Sequence, residues 1–189
     1  MVIDIQYFDE ALISTEDAFI IDTNVLLFIH RPQFDKENKA GHYSKFISFL
    51  RKNGCSLVVS SLNLQEAFNA IERTCWICYQ ESLPKGDPNR KMSRKDFRCN
   101  KAQRQKVKSA QRAFLNQIKQ FYKIEPECVS ENELTNYMDN LEKHQYDPID
   151  YVISSHYGAL GIITDDKDFT YDNGITVYRL QNPNVQPPI

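Results

Sequence analysis

Four carboxylates in this chain stand where a folded polypeptide most readily builds a reactive site. Asp22 ends the apolar run Ala18-Phe19-Ile20-Ile21, Glu66 follows the run 55–60, and Asp166 follows Gly161-Ile162-Ile163-Thr164. Asp150 opens the helical pattern that leads into that third run. If the runs are parallel strands, their carboxyl ends share one edge of a sheet, where open α/β sheets place ligands. Acids gathered there repel one another, and a divalent cation is the usual compensation. An oxygen-only set suits Mg²⁺ or Mn²⁺, with water and substrate phosphate completing the shell. Such an ion activates water and stabilises the leaving oxygen in phosphodiester hydrolysis.

Each acid also has a purely structural use. Asp147 reads as the cap of a helix whose first position is Pro148, and Asp150 complements the dipole of the same helix. Glu66 stands three residues after Asn63, the spacing of a capping box. Asp165 and Asp168 have the character of turn residues. Asp22 is the hardest to explain structurally, because a charge directly after a buried run needs a partner.

The elements that position these acids are legible in the apolar pattern. Short continuous runs at 18–21, 55–60 and 161–164 suit strands buried on both faces, as in a parallel sheet. Amphipathic helices follow at about 23–30, 42–53 and 63–80, the second closed by Gly54. Residues 1–17 form a lead-in with a short helix expected around 9–12. The prolines and Gly86 make 83–96 a loop, and 97–122 carries one long helical pattern. Ser130-Glu-Asn-Glu133 is a capping box for a helix to about Lys143, and a last strand is expected at 175–178. This alternation predicts an α/β fold with a mostly parallel sheet in a single domain, 1–189, carrying a basic helical insertion at 81–125.

Charge is unevenly spread. The net charge of −2 conceals a segment, 85–123, that carries +11 against −13 for the remainder. Lys91, Arg94, Lys95, Arg98, Lys101, Arg104, Lys106, Lys108 and Arg112 could follow a phosphate backbone, and an acidic site needs such a feature to accept a polyanion. Phe97 and Tyr122 could stack on unpaired bases. A solvated helix face, or a dock for an acidic partner protein, are the competing uses of the same charges. Five cysteines in no secreted-domain spacing read as reduced thiols, and Cys75-Trp-Ile-Cys78 lacks the second pair that a zinc site needs. No apolar run approaches a membrane span and no signal region is visible, so a cytoplasmic protein without a membrane partner is expected.

Phe19-Ile-Ile-Asp22-Thr23-Asn24-Val-Leu-Leu resembles the opening motif of PIN-domain nucleases. Ser60-Ser-Leu-Asn-Leu-Gln-Glu66 resembles their second motif. Asp150-Tyr-Val-Ile-Ser-Ser-His-Tyr, then Ile162-Ile-Thr164-Asp165-Asp166-Lys-Asp168-Phe169, are similar to their third and fourth. The resemblance covers 18–79 and 147–180. It implies a three-layer α/β/α domain and Mg²⁺- or Mn²⁺-dependent hydrolysis of RNA. Asp22, Glu66, Asp150 and Asp166 take the acidic positions; Asn24, Asp147, Thr164 and Asp168 give support around them. It further implies a toxin of a type II toxin–antitoxin pair, with an antitoxin partner and a homodimer, as a frequent role. The long basic insertion departs from the family pattern. A non-catalytic RNA- or protein-binding module of this fold, or a structure-specific DNA nuclease, are the alternatives.

Overall fold

Short apolar runs separated by amphipathic segments do fold here as an α/β domain. The structure, a computed structural model, describes residues 1–10, 13–15, 17–126, 130–139, 161–167, 169 and 176–181. Six strands form one sheet: β1 (Val2–Asp4), β2 (Ala18–Ile21), β3 (Ser56–Ser60), β4 (Lys123–Glu125), β5 (Gly161–Ile163) and β6 (Val177–Arg179). Their order is β1-β6-β5-β2-β3-β4, and every pairing is parallel. The helices are α1 (Thr23–His30), α2 (Ala40–Lys52), α3 (Ser61–Ser82), α4 (Arg94–Cys99), α5 (Lys101–Phe121) and α6 (Glu131–Asp139).

Strand β2 lies at the middle because its run is apolar without interruption. Phe19 sits opposite Leu57 of β3 and Gly161 of β5. Both faces of the sheet are buried, as the unbroken runs require. On one face Phe19, Ile21, Leu57, Val59, Ile163 and Tyr178 join the main core with side chains of α1, α2, α3 and α5. On the other, Ile20, Val58, Ile162 and Val177 are buried outside that cluster. Gly161 is needed on the first face. A Cβ there would come within 2.6 Å of the Phe19 ring and 2.7 Å of the Tyr178 ring, which pack edge to face at 5.2 Å.

Several local expectations are corrected. The lead-in also supplies edge strand β1, paired with β6; residues 11 and 12 of the helix expected there lie outside the described residues. Strand β4 was not expected. The region taken as a loop holds a 3₁₀ turn at Pro88–Lys91 and the short helix α4, capped by Ser93. The long pattern at 97–122 is two helices, because the Asn100 side chain accepts from Gln103 N–H and starts α5 afresh. The capping box Ser130–Glu133 forms as expected. The helix at 147–160 and the start of the strand expected at 175–178 lie outside the described residues.

Helices α3 and α5 pack side by side in opposite senses. Gln111 and Phe114 of α5 meet Phe68 of α3, whereas Arg104, earlier on α5, meets Glu72, later on α3. The pair is a hairpin rooted where β3 ends. Helix α5 then runs to the amino-terminal side of the sheet, where Phe121 lies against Arg51 at the end of α2. Among the described residues no helix is long and apolar enough to cross a membrane.

Candidate active site

The site is built from the carboxyl ends of β2, β3 and β5, which adjacent parallel strands place at one edge. Asp22 is both the residue that ends β2 and the cap of α1. Its N–H still donates to Ile163 O (2.9 Å), continuing the sheet, while its Oδ1 accepts from Thr23 N–H (2.6 Å). Its Oδ2 accepts from the Thr164 hydroxyl just past β5 (2.6 Å). Asp22 is buried, and its carboxyl pKa is pushed up to about 7. Burial is the main cause; the Thr164 and Thr23 bonds pull it down, and the charges of Glu66 and Asp166 push it further up. Among the described residues this carboxylate has no counter-charge.

Two threonines tie the three described acids together. The Thr23 hydroxyl donates to Glu66 Oε2 (2.6 Å) while the Thr23 amide holds Asp22. The Thr164 hydroxyl holds Asp22 and accepts from Asp166 N–H (2.9 Å). Asn63 Nδ2 donates to Thr23 Oγ1 (3.2 Å), and Asn63 Oδ1 accepts from the amide and hydroxyl of Ser60. Helix α3 is therefore capped by Ser60, one turn of sequence earlier than the Asn63–Glu66 spacing suggested. Asn63 serves as the reciprocal residue of that box, which leaves the Glu66 carboxylate unused by the helix and available to the site.

The neighbouring polar residues divide by role. Asn24 Oδ1 accepts from Asp165 N–H (3.1 Å), joining α1 to the turn after β5. Asp165 is a structural residue: its carboxylate takes the Tyr43 hydroxyl (2.8 Å) and Lys39 Nζ (2.6 Å). Burial, and then the Asp165 charge, raise the Tyr43 phenol, which stays a donor. Arg179 donates to Asp166 O (3.2 Å), fixing the backbone that presents Asp166. Asp147, Asp150 and Asp168 lie outside the described residues. Among the described residues no three His, Cys, Asp or Glu side chains form a ready cation cage; Asp22, Glu66 and Asp166 are joined by charge and shared hydroxyls instead. Thr23 and Ser60 enter the sequence reading only as motif positions and Asn63 only as a cap; the three-residue Ser60/Asn63 spacing is the signal for their part in the site.

The basic segment is corrected most. Arg94 Nε (2.8 Å) and Arg98 Nη2 (2.7 Å) bind Glu72 Oε1, and Arg104 Nη1 (3.0 Å) binds Oε2. Glu72 is buried, and burial pushes its pKa up, but the Arg98 and Arg94 bonds outweigh that and hold it low. These three arginines fasten α4 and α5 to α3, so they are not the free phosphate contacts expected. Lys91, Lys95, Lys101, Lys106, Lys108 and Arg112 are exposed. Phe97 and Tyr122 are buried and offer no ring to a base; Tyr122 Oη lies 3.0 Å from His30 Nε2. Cys55, Cys75, Cys78 and Cys99 are free thiols, as the spacing suggested; Cys128 lies outside the described residues.

No family model matches this chain, and no curated protein does. Among solved structures the chain is similar to PAE2754 from Pyrobaculum aerophilum, with 13% identity over 86% of this chain and 84% of that one, at a TM-score of 0.45.

Proposed function

We propose that this chain is a PIN-type, metal-dependent endoribonuclease acting at the carboxyl edge of its sheet. The observation that carries the proposal is Asp22, a buried carboxylate gripped by two hydroxyl-bearing neighbours and pushed to about 7 by burial and by Glu66 and Asp166. A purely structural aspartate gains little from that setting, whereas a bound cation reverses its cost.

The donors fit a hard divalent ion. All are carboxylate oxygens, the chemistry that Mg²⁺ and Mn²⁺ favour, and the most buried of them has no counter-charge among the described residues. Asp22, Glu66 and Asp166 would hold it, with Asp150 as the fourth acid and Asp147 and Asp168 around them. Such an ion, when bound, supplies a water of lowered pKa and positive charge for the leaving oxygen. The chain's own residues orient and preorganise. Thr164 and the Thr23 amide fix both oxygens of Asp22, Thr23 fixes Glu66, and Thr164 with Arg179 fixes the Asp166 backbone. Exposed lysines on α5 would draw RNA to an edge that otherwise repels it.

The test is cleavage of a mixed RNA pool by purified protein with Mn²⁺, Mg²⁺ or EDTA, beside Asp22→Asn. Metal-dependent cutting that the substitution abolishes is expected. No cutting, with RNA bound equally by both proteins, moves the reading to a non-catalytic RNA- or protein-binding module. A matched DNA strand in the same assay addresses the DNA-nuclease alternative. A toxin role, an antitoxin partner and a homodimer belong to the same family reading, and the size of the purified particle checks the last.

A further inference from the structure

The cations on and beside the hairpin of α3 and α5 divide by partner. Arg94 and Arg98 of α4 and Arg104 of α5 are taken up by Glu72, whereas Lys101, Lys108, Arg112 and Lys119 of α5 are exposed, with no side-chain hydrogen bond or ion pair among the described residues. At about 100° per residue, separations of seven, eleven and eighteen residues place these four within about 20° of one line along α5. The line is about 27 Å long at about 1.5 Å per residue. Val107, Phe114 and Ile118 of the same helix are buried, so the file runs along a solvent flank.

The aromatic rings of this hairpin and of α4 are buried or half-buried, apart from Phe121. Phe97 is fully buried against Tyr79, and Phe68 packs on Phe114. Trp76 Nε1 donates to Met92 O (3.0 Å). Phe121 is exposed at its edge but stacks on His30 and lies beneath the Arg51 guanidinium, 4.8 Å from the ring centre. Proteins that hold unpaired strands do so by stacking bases on free aromatic faces. A straight file of cations beside no free ring contacts phosphates and leaves bases unread.

We infer that α5 is a phosphate track for base-paired RNA, so the partner is a stem rather than an unpaired strand. The inference rests on the ribonuclease reading for its choice of RNA. In a stem the bases are already stacked on one another and need no platform from the protein. Recognition by α5 is then independent of sequence, and any sequence preference must come from elsewhere on the chain.

The test uses the full chain in EDTA, which separates binding from cutting. Fluorescence anisotropy is read against an RNA stem-loop and an oligo-uridine with the same number of phosphates, from about 50 to 200 mM salt. Tighter binding to the stem is expected, with a log–log salt slope near about −3.6 for four contacts. Lys101→Ala/Lys108→Ala/Arg112→Ala should reduce that slope by about 2.7. Lys108→Glu alone is the second variant, and circular dichroism checks that both fold. Oligo-uridine binding as tightly as the stem, an unchanged slope, or no binding to either RNA overturns the inference. Loss of the ribonuclease reading would appear instead as absent cleavage in Mn²⁺ with this binding pattern intact.

Discussion

Replacing Asp22 by Asn should make the protein more stable at alkaline pH while removing the proposed ribonuclease activity. Burial and the charges of Glu66 and Asp166 raise the Asp22 carboxyl from 3.8 to about 7. The folded state therefore holds this proton more tightly than the unfolded chain. Its contribution is fully present below about 3.8 and is lost as pH rises through about 7. At about 1.4 kcal/mol per pKa unit the ionised group costs about 4 kcal/mol at pH 8. Asparagine keeps an oxygen for Thr23 N–H, but its amide meets Thr164 Oγ1 as a donor, at a cost of about 1 kcal/mol. The net gain is about 3 kcal/mol, or about 6–12 °C in Tm for a domain of this size. Thermal unfolding of both proteins in EDTA, from pH 4 to 8, measures it. The difference between the two proteins is the quantity to follow. His30, held neutral by burial and by Arg31 with a pKa lowered to about 4, works in the other direction and loses stability as pH falls from 6.5 through 4. That contribution is common to both proteins and cancels. A variant melting at or below wild type at pH 8, or a difference that persists undiminished at pH 4, would refute the account of Asp22.

Two further outcomes are expected. Adding Mn²⁺ at pH 8 should raise the Tm of wild type and leave Asp22→Asn unmoved; an ion at about a hundred times its Kd adds about 2.7 kcal/mol of stability. Glu72→Gln should lower the urea midpoint by about 1 M. Loss of a buried acceptor for three guanidinium groups costs about 2 kcal/mol once discounted for the arginines' own exposure, and m is about 2 kcal/mol per M. The folded pKa of Glu72 lies below its unfolded value, so this deficit should be present at pH 7 and shrink as pH falls below 4.5.

The acidic edge is more legible in the sequence than the basic insertion, and the reasons differ. Asp22 and Thr164 each end an apolar run, so strand order alone brings them together. Strands β1 and β4 escaped notice because three residues at a sheet edge need neither an apolar run nor alternation. Glu66 was half misread: its distance from Asn63 imitates a capping box, and only the Ser60 side chain on Asn63 N–H shows which residue begins the helix. The insertion failed at longer range. Glu72 stands 22 to 32 residues from its three arginines, and nothing local in the sequence says that they are spoken for. Phe97 and Tyr122 look like exposed rings among lysines, yet each fills the seam between the insertion and the body.

The bond between Thr164 and Asp22 joins residues 142 positions apart, and β2 acquires its neighbour β5 only across the same distance. During synthesis, a chain that has emerged as far as α5 carries Asp22 and Glu66 but neither Thr164 nor Asp166. At several residues per second, many seconds separate the first acid from the last. Closing so long a loop also places this pairing late in folding. The acidic edge is thus completed only after β5 has emerged, and a chain stopped before that point, still attached to the ribosome and to its own message, has only part of the proposed cutting centre.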